Sequence, residues 1–198
     1  MNDESVMQAV RSGDAAQLGT LFERHHVALY EFLCRTTGDA ATAEDLVQDV
    51  FVRILKYRHT YRDGHPFVTW MYRIARNARA DHFRRRQATP ALEPVDWTGQ
   101  EPPSHEPSVV ERLARDADAA HLRQALEDLP AEKRELIVLA RYQQMPYEQL
   151  ADLLDVEVGT LKVRVHRALK QLRERFEQLT TRRESCDVKM PLSKSDRC

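Results

Sequence analysis

The chain has 198 residues, enough for one domain or two small ones, and its 30 basic and 31 acidic side chains leave a formal charge of −1. No uninterrupted apolar run approaches the roughly 20 residues of a spanning helix, and the acidic start MNDES lacks the basic and apolar regions of a secretory signal. A cytoplasmic protein without membrane insertion is expected, and Cys34, Cys186 and Cys198 are too few and too scattered for a disulfide framework.

Residues 1–33 read as helix, with apolar faces marked by Val6, Val10, Leu18, Leu21, Leu29 and Leu33 and a break near Ser12-Gly13-Asp14. Two short helices or one interrupted helix both fit. After Gly38, the residues Ala43, Leu46, Val47, Val50, Phe51, Ile54 and Leu55 recur at three and four, which predicts an amphipathic helix. Glu44, Asp45, Gln48 and Asp49 lie near its start and basic residues near its end, the order that suits a helix dipole.

Gly64 and Pro66 then announce a bend and a new helix. Over PFVTWMYRIARNARADHFRRR, the residues Phe67, Trp70, Met71, Ile74, Ala75 and Ala78 fall on one side and Arg73, Arg76 and Arg79 on the other. From Arg53 to Arg86 ten basic residues oppose two acidic ones, a local charge of +8 against the chain's −1. Tyr57, Tyr61, Phe67, Trp70, Tyr72 and Phe83 are interleaved with them, so phosphate attraction and base stacking are available together. Trp70 and Asn77, seven apart, share a flank beside the basic face that suits an unstacked base.

Between about Gln87 and Asp118 five prolines and a local charge of −5 replace the periodicity, with Trp97 the one apolar anchor. Such a segment is expected to be a flexible linker. Leu122, Leu126 and Leu129 predict a helix stopped by Pro130, and Leu136, Ile137, Leu139 and Ala140 a second. Tyr147 to Leu154 makes a short helix, Asp155 to Gly159 a tight connection, and Thr160 an N-cap for a helix to about Phe176. On that last helix Leu161, Val165, Leu169 and Leu172 form the buried stripe while Lys162, Arg164, His166, Arg167, Lys170 and Arg173 point elsewhere, the helix-turn-helix arrangement that major-groove insertion requires.

These pieces, AEDLVQDVFVRIL, FVTWMYRIARNARADHFRRR and LPAEKRELIVLARYQQMPYEQLADLLDVEVGTLKVRVHRALKQL, resemble in content and order a bacterial sigma factor of the extracytoplasmic-function group of the sigma-70 family. The resemblance implies an all-α fold: an N-terminal segment 1–17, a promoter-melting domain 18–88, an acidic linker 89–118, a helix-turn-helix domain 119–178 and a polar tail 179–198. It implies core RNA polymerase and promoter DNA as partners and an anti-sigma factor as a further one. Asp45, Leu46, Gln48, Asp49 and Phe51 match positions that bind core polymerase. Arg62, Asp63, His65, Trp70, Arg73, Arg76 and Asn77 match positions near an extruded base of the −10 element, with Arg84 and Arg85 continuing the basic run. Thr160, Lys162, Val163, Arg164, His166, Arg167 and Lys170 would face the −35 element. Val163 stands where many relatives have a hydroxyl residue, and Asp155 where a glycine is frequent in the turn.

No Gly-rich phosphate loop, HExxH or nucleophile motif is present, so neither an enzyme nor a cofactor is expected. His25-His26 reads as surface rather than metal site, and Cys186 with Cys198 do not complete a tetrahedral zinc site. The rival reading is a self-sufficient helix-turn-helix repressor or activator with residues 1–86 as a sensor or dimerisation domain, which leaves Phe67–Arg86 without a role.

Overall fold

The computed structural model describes residues 2–88 and 109–187, all of whose regular structure is helical. The expectations for 89–108, including Trp97, and for 188–198, including Cys198, lie outside the described residues, as does the side chain of Cys186.

The first domain is built from α1 (Asp3–Ser12), a 3₁₀ turn (Ala15–Gln17), α2 (Leu18–Thr37), α3 (Ala40–Tyr57) and α4 (Phe67–Ala88). Local chemistry sets the boundaries. Asn2 caps α1 by accepting from the Ser5 N–H, and Gly13, at φ 115°, takes the left-handed conformation that ends it. Gly38 ends α2 in the same way at φ 76°, and the Asp39 carboxylate then caps α3 through the Thr42 N–H at 2.9 Å. The break expected at Ser12-Gly13-Asp14 is therefore a true helix end. Val6, Met7 and Val10 of α1 join Leu29, Phe32, Val50, Ile54 and Met71 in one core, each such side chain contributing about 1.5–3 kcal/mol of burial.

The second domain comprises α5 (Val109–Glu127), α6 (Ala131–Ile137), a π-helical turn (Val138–Tyr142), α7 (Tyr147–Leu154) and α8 (Val158–Asp187). Arg134 holds the α5–α6 junction by donating to the carbonyls of Leu126, Glu127 and Leu129. Asp155 occupies the left-handed region at φ 53°, and the Val156 N–H reaches back to the Ala151 carbonyl at 3.0 Å. An aspartate thus closes the turn between α7 and α8 in the conformation a glycine would adopt most cheaply.

Three expected bounds shift. Helix α5 begins at Val109, inside the segment read as linker, because VVERLARDADAAHLRQALE contains no proline after Pro107. Helix α8 begins at Val158 rather than after a Thr160 cap: the Leu161 N–H is already bonded to the Glu157 carbonyl, which puts Thr160 within the first turn. It runs on to Asp187, past Phe176 and into the segment read as tail, since no proline or glycine lies between Phe176 and Asp187.

Candidate nucleic-acid interface

The loop between α3 and α4 presents Arg62, Asp63 and His65 to solvent on a rigid base. Gly64 turns the chain at φ 82°, and the His65 N–H bonds the Arg62 carbonyl at 3.4 Å. Beneath it, buried Tyr61 donates its hydroxyl to the His65 carbonyl at 2.6 Å, and burial pushes the phenol up to about 12, keeping it a donor. Tyr61 and Phe67 flank the half-buried Trp70 ring at 5.3 and 6.3 Å between centroids, while Asn77 two turns on is exposed. The flank expected to receive an unstacked base is thus lined by one pinned ring and one amide.

The cationic face of α4 is not open. Arg76 and Arg79 both bond the carboxylate of Glu135 on α6, and Arg76 also donates to the Leu153 carbonyl at 3.2 Å. Arg73 donates to the carbonyl and carboxylate of Asp152 on α7 at 3.1 and 3.3 Å. Glu135 is 6% exposed, and the three arginine side chains grade from 49% exposed at Arg73 through 32% at Arg76 to 12% at Arg79. The π turn carries Tyr142 and Gln143 to the same seam. Gln143 accepts from the Tyr72 hydroxyl at 2.8 Å and donates to the Ala28 carbonyl at 3.1 Å, and the Arg35 guanidinium lies over the Tyr142 ring at 4.5 Å. Arg84 pairs instead with Asp81 on its own helix. The second domain therefore presents carboxylates to arginines expected to meet phosphates.

On α8, Thr160, Lys162, Val163, Arg164, His166, Arg167 and Lys170 are all exposed, while Leu161, Val165 and Ala168 are buried. The α7–α8 turn fixes this helix by its inner side and leaves its outer side free to enter a groove. Val163, 49% exposed, puts a methyl pair among the cations, chemistry suited to a thymine methyl.

The acidic face of α3 is only partly what its sequence suggests. Asp45 and Gln48 are exposed, but Asp49 bonds Arg53 at 3.0 Å, and Arg53 reaches Asp81 of α4 at 2.6 Å. Leu46 belongs to the core and shows only at the floor of an open groove of about 440 Å³ that Asp45, Asp49, His82, Arg85 and Arg86 also line. Phe51 is buried against Phe22, ring centroids 4.9 Å apart, and supports the helix from beneath.

Sequence reasoning did not select Glu135, Asp152, Gln143 or Glu4. The signal for Glu135 was present: its i+3 and i+4 neighbours, Val138 and Leu139, are both core residues, and an acid on an apolar stripe calls for a buried partner.

Two family models match the chain, Sigma-70 region 2 over residues 21–89 and Sigma-70, region 4 over residues 120–172. The chain is 31% identical over 173 residues to the RNA polymerase sigma factor CarQ of Myxococcus xanthus, covering 87% of this chain and 97% of that protein. It is 32% identical over 179 residues to the ECF RNA polymerase sigma factor SigE of Mycolicibacterium smegmatis, covering 87% and 68%. Among solved structures, CnrH in complex with the cytosolic domain of CnrY aligns with a TM-score of 0.66 at 25% identity, over 89% of this chain and 97% of that one.

Proposed function

Since the chain belongs to the extracytoplasmic-function sigma factors of the sigma-70 family, which direct core RNA polymerase to promoters, we propose how its residues divide that work. Asp45, Gln48 and Asp49 on α3 meet core polymerase. Arg62, Asp63, His65, Trp70, Arg73, Arg76, Asn77, Arg84 and Arg85 receive the −10 element, and the exposed side of α8 from Thr160 to Lys170 reads the −35 element. The observation that carries this division is that the two basic surfaces differ in kind. One joins cations to a pinned aromatic ring, as an opened strand needs, whereas the other lines one exposed helix face, as a duplex major groove needs. A repressor reading explains only the second surface and is not favoured by the relatives.

The work is done by binding, with no covalent step. Unstacking a base costs a few kcal/mol, which stacking on Trp70 and contacts from the arginines can offset. Because Arg73 and Arg76 face Glu135 and Asp152 in the closed arrangement, the domains part before −10 DNA can reach them, and core polymerase then holds them at the spacing of the two promoter elements. A protein carrying a cytosolic domain like the one bound to CnrH would act as an anti-sigma partner. The site of action is the cytoplasm; no described helix is long and apolar enough to cross a membrane.

The test is promoter opening by the reconstituted holoenzyme. Trp70→Ala and Asn77→Ala are expected to retain core-polymerase binding while lowering permanganate reactivity of thymines near the start site. Wild-type reactivity in both variants would remove the assigned role of this flank.

A further inference from the structure

Helix α1 lies outside both matched family regions, yet one of its ends contacts the first residue of α4 and the other the 62–65 loop. Its position is fixed from below by Val6, Met7 and Val10, each essentially fully buried, and from the side by Asp3, which pairs with Arg24 at 2.8 Å and His25 at 2.7 Å on α2. From that base Glu4 accepts a hydrogen bond from the Phe67 N–H at 3.3 Å. Pro66, which precedes α4, has no side-chain acceptor, so Glu4 supplies in trans the negative charge and acceptor an N-cap residue would bring. At the other end of α1, Arg11 reaches across 52 residues of sequence to bond Asp63 Oδ1 at 3.0 Å.

We propose that Arg11 is a specificity-determining residue that acts through Asp63, holding its carboxylate for a base bearing an exocyclic amine, cytosine or adenine, in the opened −10 strand. This rests on the reading that the 62–65 loop meets that strand. Asp63 is 62% exposed, and an unpaired carboxylate beside phosphates is repelled by them. The Arg11 guanidinium offsets that repulsion and occupies Oδ1, which leaves Oδ2 as the acceptor that an N4 or N6 amine requires. A cation at the last turn of α1 also complements that helix's own dipole, but such a role needs no partner in the loop. The pairing with Asp63, on a helix seated in the core and next to the Glu4 contact that fixes the start of α4, is what the dipole role leaves unexplained.

The experiment is a selection over a randomised −10 element by holoenzyme assembled from core polymerase and the full chain, comparing wild type with Asp63→Ala, Arg11→Ala, Arg11→Lys and the Arg11→Ala/Asp63→Ala double variant. Exposed ion pairs reach about 1 kcal/mol, or roughly fivefold, so Arg11→Ala is expected to flatten preference about two- to fivefold at one position. That position should be the one Asp63→Ala flattens, with partial recovery in Arg11→Lys, no further loss in the double variant, and an unchanged −35 preference in Arg11→Ala. An altered preference in Asp63→Ala with wild-type preference in Arg11→Ala overturns the inference and leaves the loop reading standing. Wild-type preference in both overturns the loop reading as well. A uniform loss across all −10 positions in Arg11→Ala, with a lowered unfolding midpoint, marks a merely structural role and also overturns the inference.

Discussion

Replacing Glu135 by glutamine keeps the side chain's shape and one carbonyl acceptor but removes the charge shared by Arg76 and Arg79. Hydrogen bonds to charged groups contribute about 1.5–3 kcal/mol each, and removing one partner of a fully buried pair costs about 3–5 kcal/mol. Here the carboxylate is buried, but Arg76 remains 32% exposed, so water repays part of the loss, and glutamine retains one acceptor. The net effect is a weakening of domain closure by about 2 kcal/mol, a factor of about 30 in the closed-to-open ratio at 1.4 kcal/mol per tenfold. Where the closed form predominates, the free chain's affinity for DNA rises by up to that factor, because affinity scales with the competent fraction. Anisotropy of a labelled single strand carrying the −10 sequence measures it, with the free chain and again with core polymerase. Glu135→Gln should tighten binding by the free chain and change the holoenzyme little, since polymerase has already separated the domains. A folded Glu135→Gln chain that binds the strand no more tightly than wild type would refute the account of the seam.

Two further outcomes are expected. Arg164→Ala or Arg167→Ala should weaken use of the −35 element by roughly 1–3 kcal/mol if the side chain is bidentate to a guanine, with relaxed preference in a selection over randomised −35 sequences; an even loss across all sequences would indicate phosphate contact instead. Asp39→Ala should cost about 1 kcal/mol of stability at pH 7 by removing the α3 cap, measured by urea denaturation. The bond from Thr42 holds the Asp39 carboxyl below the ordinary aspartate value of about 3.9, so its contribution is complete above that value and is lost as pH falls through the lowered folded value; the two stability curves should converge at acid pH.

The helices of the first domain were legible because their signals are local: Gly13 and Gly38 at left-handed caps, the periodic run that follows Gly38, and Pro66 before α4. The same holds for the α7–α8 turn, where Asp155 adopts the conformation its place in the pattern demanded. Periodicity already set Leu46 and Phe51 on the apolar side of α3 and Asp45 and Gln48 on its polar side, but the resemblance joined both sides in one partner surface, because it assigns a stretch of helix without saying which side of it is reached. The seam between the domains was least legible. Arg73, Arg76 and Arg79 read as a solvated or DNA-facing row, and only the tertiary pairing reveals acids waiting 56 to 79 residues downstream. Arg11–Asp63 and Glu4–Phe67 were hidden for the same reason, being contacts from an early helix to a loop and a helix start more than fifty residues away.

The π turn at Val138–Tyr142 ties the meeting of the two domains to a count of residues as well as to their identities. Its wide ring, closed by the Gln143 N–H on the Val138 carbonyl at 2.9 Å, accommodates one more residue than an α-helical ring. Were the same residues wound as ordinary α-helix, the extra one would rotate the chain beyond the turn against α6 by about 100°, the angle between successive residues of an α-helix. Tyr142 and Gln143 would swing away from Arg35, Tyr72 and Ala28 even if every contacting side chain were retained. A single-residue insertion in this short run, with no further wide ring to absorb it, would therefore disengage the two halves in one mutational step while preserving the chemistry of α4 and α8, a route open to natural variation that point substitution along the seam would need several changes to match.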